Sequence, residues 1–148
     1  MSLVTAAVTR INGNWTVHED GAPGQTVTVR RGDELTWRWP SNGSITVCMS
    51  PFGPGCTVVN RGSSPPRIIV PNVSDGYYCY VLLLTLNGTT VAVSGASGQG
   101  GCSDELVPAD AEAWLRKHGD HPLHPETGVR PRIRVRGSAV AADEGGKR

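Results

Sequence analysis

Apolar and polar residues alternate with a period of two over several short stretches, the spacing that turns one set of side chains onto the core face of a strand. Val27 and Val29 alternate within residues 25–30, Leu35, Trp37 and Trp39 within 33–39, and Ile45, Val47 and Met49 within 44–49. Arg31-Gly32-Asp33 supplies a turn between the first two. Residues 1–11, with Leu3, Val4, Ala6, Ala7 and Val8 and the single charge of Arg10, predict an opening strand. Arg67 to Val70 predicts a short strand framed by Pro65-Pro66 and Pro71, because proline cannot donate to a ladder.

Tyr77 to Leu86 breaks the alternation. It is apolar almost throughout, which predicts a central strand covered on both faces. Asn87-Gly88 is the strongest hairpin signal of the chain and folds residues 89–94 back as the next strand. Residues 95–101 are glycine-rich and predict a flexible connector. Over 108–118 the pattern turns helical: Pro108 suits the first turn, Asp110 and Glu112 complement the positive end of the dipole, and Lys117-His118-Gly119 closes the element. Residues 121–125 hold two prolines and predict loop, as does the stretch from Pro51 to Pro66. A last strand spans 130–136, with Ile133 and Val135 facing the core and Arg130, Arg132, Arg134 and Arg136 facing solvent.

This pattern predicts a mainly β protein: an antiparallel or mixed Greek-key sandwich with a short helical insertion before the last strand. Residues 1–137 form one domain with its insertion at 95–129, and 138–148 read as a disordered tail. The length of 148 residues suits one core, and 19 glycines with 11 prolines fit many turns. A net charge of +1 gives no global attraction for nucleic acid or anionic membrane, so nucleic acid is not expected as a partner. The apolar runs fall far short of the roughly 20 residues of a membrane-spanning helix. Residues 1–11 lack the basic start and apolar length of a signal peptide.

A soluble, cytoplasmic protein is therefore the default expectation, and with it free thiols at Cys48, Cys56, Cys79 and Cys102. In an oxidising space these four would allow three pairings into two disulfides. Cys48 with Cys56 would close the loop at 51–55, and Cys79 with Cys102 would pin the insertion to a strand.

Two stretches, Val27-Thr28-Val29-Arg30-Arg31-Gly32-Asp33-Glu34-Leu35-Thr36-Trp37 and Gly76-Tyr77-Tyr78-Cys79-Tyr80, resemble the cupredoxin, or plastocyanin-like, family of β-sandwiches. They resemble that family's strand, Gly-Asp turn and strand ending in an aromatic, and its aromatic strand near the copper loop. A blue-copper centre needs two His and one Cys with a weak axial ligand such as Met. After Cys79 the chain has neither His nor Met through Gly88, and Ser44 stands where the resemblance would put the first His. The resemblance therefore implies a sandwich without copper. An immunoglobulin-like sandwich is less well matched, since Trp37 and Trp39 both precede Cys48.

Candidate chemistry is sparse. His118, His121 and His124 fall three residues apart, with Asp120 between them and Cys102 and Asp104 upstream. They are the candidate metal ligands, for zinc, although the spacing matches no Cys-x₂-Cys pattern. Arg130, Arg132, Arg134 and Arg136 could grip phosphates, carboxylates or an acidic strand. The preferred reading of the same ladder is an edge strand guarded by charge, with no aromatic interleaved on its face. Of the aromatics, Trp37, Trp39, Tyr78 and Tyr80 read as core, and Trp15 is the least accounted for. Four sequons, starting at Asn14, Asn42, Asn72 and Asn87, mark turns. No Gly-x-Ser-x-Gly, His-Glu-x-x-His or P-loop occurs. The residues favour a non-enzymatic binding or accessory module for a protein or other macromolecule, of undetermined oligomeric state. A metal-binding protein using the histidine loop is the alternative, and a hydrolase with a site assembled in three dimensions the weaker one.

Overall fold

The computed structural model describes residues 2–49, 56–59, 64–96, 102–103, 109–118 and 124–138. Strands β1 (Leu3–Ile11) and β2 (Asn14–Glu19) form a hairpin, followed by β3 (Val27–Arg31), β4 (Glu34–Arg38), β5 (Gly43–Cys48), β6 (Cys56–Val59) and β7 (Arg67–Ile69). Next come β8 (Gly76–Cys79), β9 (Val81–Leu86), β10 (Thr89–Ala92), β11 (Ser94–Gly95) and β12 (Cys102–Ser103). The helix α1 (Ala109–His118) precedes β13 (Val129–Arg130) and β14 (Arg132–Ser138). Among the described residues the fold is mainly β with mixed sheets and one short helix before the last strand, as the sequence pattern predicts.

A five-stranded sheet runs β11-β2-β1-β4-β7, a four-stranded sheet β10-β9-β5-β6, and a three-stranded sheet β3-β14-β8, with β12-β13 as a two-stranded ladder. Strand β1 is parallel to β4, β11 to β2, and β14 to β3; the four-stranded sheet is antiparallel throughout. One core joins the three larger sheets. Val8, Leu35 and Trp37 of the five-stranded sheet meet Ile45, Val47, Leu82 and Leu84 of the four-stranded one and Val27, Val29, Ile133 and Val135 of the three-stranded one. Complete burial of each such side chain contributes about 1.5–3 kcal/mol. Near the centre, Trp37 Nε1–H donates to the Tyr80 hydroxyl at 3.2 Å, and the two rings meet edge to face with centroids 6.1 Å apart. Burial of the Tyr80 phenol raises its pKa far above the ordinary value.

The apolar run 77–86 is covered on both faces where it forms β9. Leu82 and Leu84 point into the main core, while Val81 and Leu83 form a second cluster with Cys48 and Ala92, against which Trp114 of α1 packs. The run is not one strand, however. At Tyr80 it leaves the three-stranded sheet for the four-stranded one, and the Tyr80 N–H donates to the Pro131 carbonyl at 3.0 Å.

Two hairpins turn on Asn-Gly. Asn87-Gly88 joins β9 to β10 as expected, and Asn12-Gly13 joins β1 to β2 in the same way, all four residues at positive φ as a type I′ turn requires. Strand β2 itself was not expected, and neither was β6, which interrupts the loop expected over 51–66. The turn between β3 and β4 closes through Asp33 N–H to Arg30 O at 3.0 Å, with Gly32 at φ +91°. The buried Asp33 carboxylate accepts the backbone N–H of Arg30 at 2.9 Å and of Ser2 at 3.1 Å.

The expectation of free thiols is overturned. Cys48 and Cys79 are disulfide-bonded, and no described cysteine is free. Cys56 stands directly opposite Cys48 in the β5–β6 register. Among the described residues no helix is long and apolar enough to cross a membrane.

Candidate functional site

Strand β14 carries the arginine ladder, and its surroundings differ from those of a guarded edge. It pairs on one side with β3 and on the other with β8, so it is the centre of its sheet. Ile133 and Val135 are buried in the core, which turns Arg132, Arg134 and Arg136 to the opposite face. Arg130 does not belong with them. It sits in β13, before the break at Pro131, and is 1% exposed, with its carbonyl packed so closely on Gly95 that a Cβ there would lie 2.4 Å from the oxygen. Proline has no N–H to continue the ladder, so strand parity does not carry across it.

An aromatic does stand on the arginine face, contrary to the expectation, because it comes from the neighbouring strand. Tyr77 of β8 is directly opposite Arg134. The Arg132 guanidinium lies 4.0 Å from the Tyr77 ring centroid and that of Arg134 lies 5.6 Å from it. The Arg132 Nε–H also donates to Thr26 Oγ1 at 3.3 Å. Such stacking orients a guanidinium and contributes about 0.5–1 kcal/mol at an exposed site. Tyr77 remains 50% exposed, and among the described residues it is the aromatic that core packing leaves over. Trp15, the one expected to be left over, packs partly buried against the core with Arg10 at 5.5 Å from its ring centroid.

Charge on this face is predominantly basic. Among the described residues neither Arg134 nor Arg136 pairs with a carboxylate, whereas Arg31 is engaged with Asp75 at 2.6 Å. Asp75 also accepts the Gly137 N–H at 2.9 Å. That backbone bond, together with the Arg31 guanidinium, holds the Asp75 carboxyl below its ordinary pKa.

The histidine loop falls largely outside the described residues, which exclude Asp104, Asp120 and His121 and the side chains of Cys102 and His118. His124 is exposed. Among the described residues no three His, Cys, Asp or Glu side chains converge as a metal site would need. His18, which no motif singles out, is buried with Nε2 at 2.7 Å from Thr9 Oγ1 and Nδ1 at 2.8 Å from the Glu19 carbonyl, a fully bonded part of the sheet. The residues do not fit a blue-copper centre: Cys79, whose thiolate would be the sulfur ligand, is tied up in a disulfide, and Ser44 offers no imidazole.

No protein-family model matches the chain, and no curated protein aligns with it significantly. Among solved structures, a multicopper oxidase from Campylobacter jejuni, described as a metallo-oxidase, aligns with 91% of this chain at a TM-score of 0.39 and 12% identity. The chain spans 26% of that protein's length. The architecture described above stands on the strand order and core alone.

Proposed function

We propose that the protein is a non-enzymatic binding module that engages an acidic macromolecular partner through the face formed by Arg132, Arg134 and Tyr77. The scaffold, on this reading, is a cupredoxin-like sandwich that has no copper chemistry. The observation that carries the proposal is the stacking of Arg132 and Arg134 about a half-exposed Tyr77 on a central strand. A central strand needs no charge to block edge pairing, so the guard function cannot account for these arginines. Stacked on a ring, they are pre-organised, and less side-chain entropy is lost when they meet carboxylates. The two disulfide-bonded cysteines also support an oxidising compartment for the module.

The test is a titration with a fluorescent oligo-glutamate peptide at low and high salt. Wild type should bind with an affinity that falls as salt rises. Replacing Arg132 and Arg134 with Gln should abolish most of that binding and lower unfolding stability by no more than about 1–2 kcal/mol, the loss of the two stacking contacts. Equal binding by both proteins would sink the proposal.

A further inference from the structure

Beyond the ladder's stacked pair, the end of β14 builds a second feature. Val29 of β3 is paired with Val135 of β14, and Arg31 with Ser138. One residue on β3 therefore faces two on β14: Arg30 stands opposite both Arg136 and Gly137. This is a β-bulge, rare in parallel pairing, and bulges re-aim side chains. Gly137 takes φ +70°, a value that favours glycine, and its N–H is held by Asp75, which Arg31 grips from the other side. The irregularity is thus fixed from both strands.

Its consequence is that Arg30 and Arg136 line one cleft, of about 530 Å³, together with Thr28, Glu19, Ser2 and Asp33. Both arginines are exposed, and neither pairs with a described carboxylate. Asp33 shares the lining, its two oxygens accepting backbone N–H groups, and its charge answers theirs in part. Like charges placed across from each other destabilise a sheet unless something between them answers the charge. A carboxylate answers one guanidinium, whereas a dianion with several acceptor oxygens answers two.

We propose that this cleft takes a tetrahedral oxyanion, a phosphate or sulfate group, held by Arg30 and Arg136. The inference rests on reading β14 as a binding strand and deepens it: the acidic partner carries a phosphate or sulfate monoester that seats in the cleft while its other acidic groups meet Arg132 and Arg134. Glu19 and Asp33 share the lining and oppose the anion, which sets a lower affinity, and Glu19 gives the site a signature.

The test is amide chemical-shift mapping of the isotope-labelled protein with inorganic phosphate, inorganic sulfate and a phosphoserine peptide, each against sodium chloride at equal ionic strength. The expected result is a saturable shift confined to the amides around Thr28–Arg31 and Arg136–Gly137. Arg30→Gln and Arg136→Gln should each weaken it at least about tenfold, and Glu19→Gln should tighten it. The Arg132→Gln/Arg134→Gln protein should bind phosphate like wild type, which keeps the cleft separable from the stacked face. Binding of either the ion or the peptide supports the cleft, and the tighter of the two names the source. Absence of a saturable shift, or a shift untouched by both Arg30→Gln and Arg136→Gln, overturns the inference. Oligo-glutamate binding that survives such a result would leave the wider proposal standing.

Discussion

Strands β9 and β14 are both central in their sheets, yet they meet opposite surroundings. β9 is buried on both faces, with Leu82 and Leu84 in the main core and Val81 and Leu83 beneath Trp114 of the helix. β14 is buried on one face only, and its other face presents three arginines and, from the next strand, Tyr77. The difference lies in what covers the outer face. Where a helix supplies an apolar side chain, the strand is apolar at four successive positions, Val81 to Leu84; where no described residue supplies one, every second position stays charged. The comparison marks the outer face of β14 as the part of the sandwich that packing leaves to be explained.

Substitutions on the two strands can break that contrast. Ile133→Ala, on the buried side of β14, should cost about 2–5 kcal/mol of stability in urea unfolding. Leu83→Ala, on the helix-covered side of β9, should cost about 2 kcal/mol, at the low end of that range because one helix can settle into the space more readily than a sheet. A negligible loss for Leu83→Ala would mean that α1 does not seal β9, and the contrast would fail. Between the two sheets, Tyr80→Phe removes the acceptor of the Trp37 indole N–H and should cost about 1–3 kcal/mol, read from the same unfolding curves.

The smallest expected effect is one of pH and belongs to the bulge. Asp75 has its folded-state pKa depressed by the Gly137 N–H and Arg31, so its contribution is present above the ordinary carboxylate value of 3.8 and is lost as pH falls through the lower folded value. Amide shifts of Gly137 should therefore move below pH 3.8 while those of β9 stay fixed. A Gly137 shift that titrates above the ordinary carboxylate range would contradict the role given to Asp75.

Much of the fold was legible because strands buried on one face repeat every two residues. Leu35 and Trp37, Ile45 and Val47, and Ile133 and Val135 all sit in the core where alternation puts them. Strand β2 escaped notice even though Asn12-Gly13 carries the same hairpin signal as Asn87-Gly88. The site was half legible. Parity along one strand turned Arg132, Arg134 and Arg136 outward, but parity could neither foresee the break at Pro131 that buries Arg130 nor place Tyr77 beside them, since register between strands is a property of the sheet. The cleft was hidden for the same reason: Arg30 and Arg136 are neighbours across a parallel pair that no local pattern encodes.

That parallel pairing also governs when the surface can exist. Arg132 and Thr26, which touch across it, are 106 residues apart in sequence. Contacts of such separation form late, because a long stretch of chain must first be ordered or excluded. Synthesis runs from the N-terminus, so β3 waits as an unpaired edge until β14 emerges to fill the gap between it and β8. The last described strand to be made is the one that both closes the sandwich and carries its basic face. A nascent or C-terminally shortened chain would thus lack the basic face altogether.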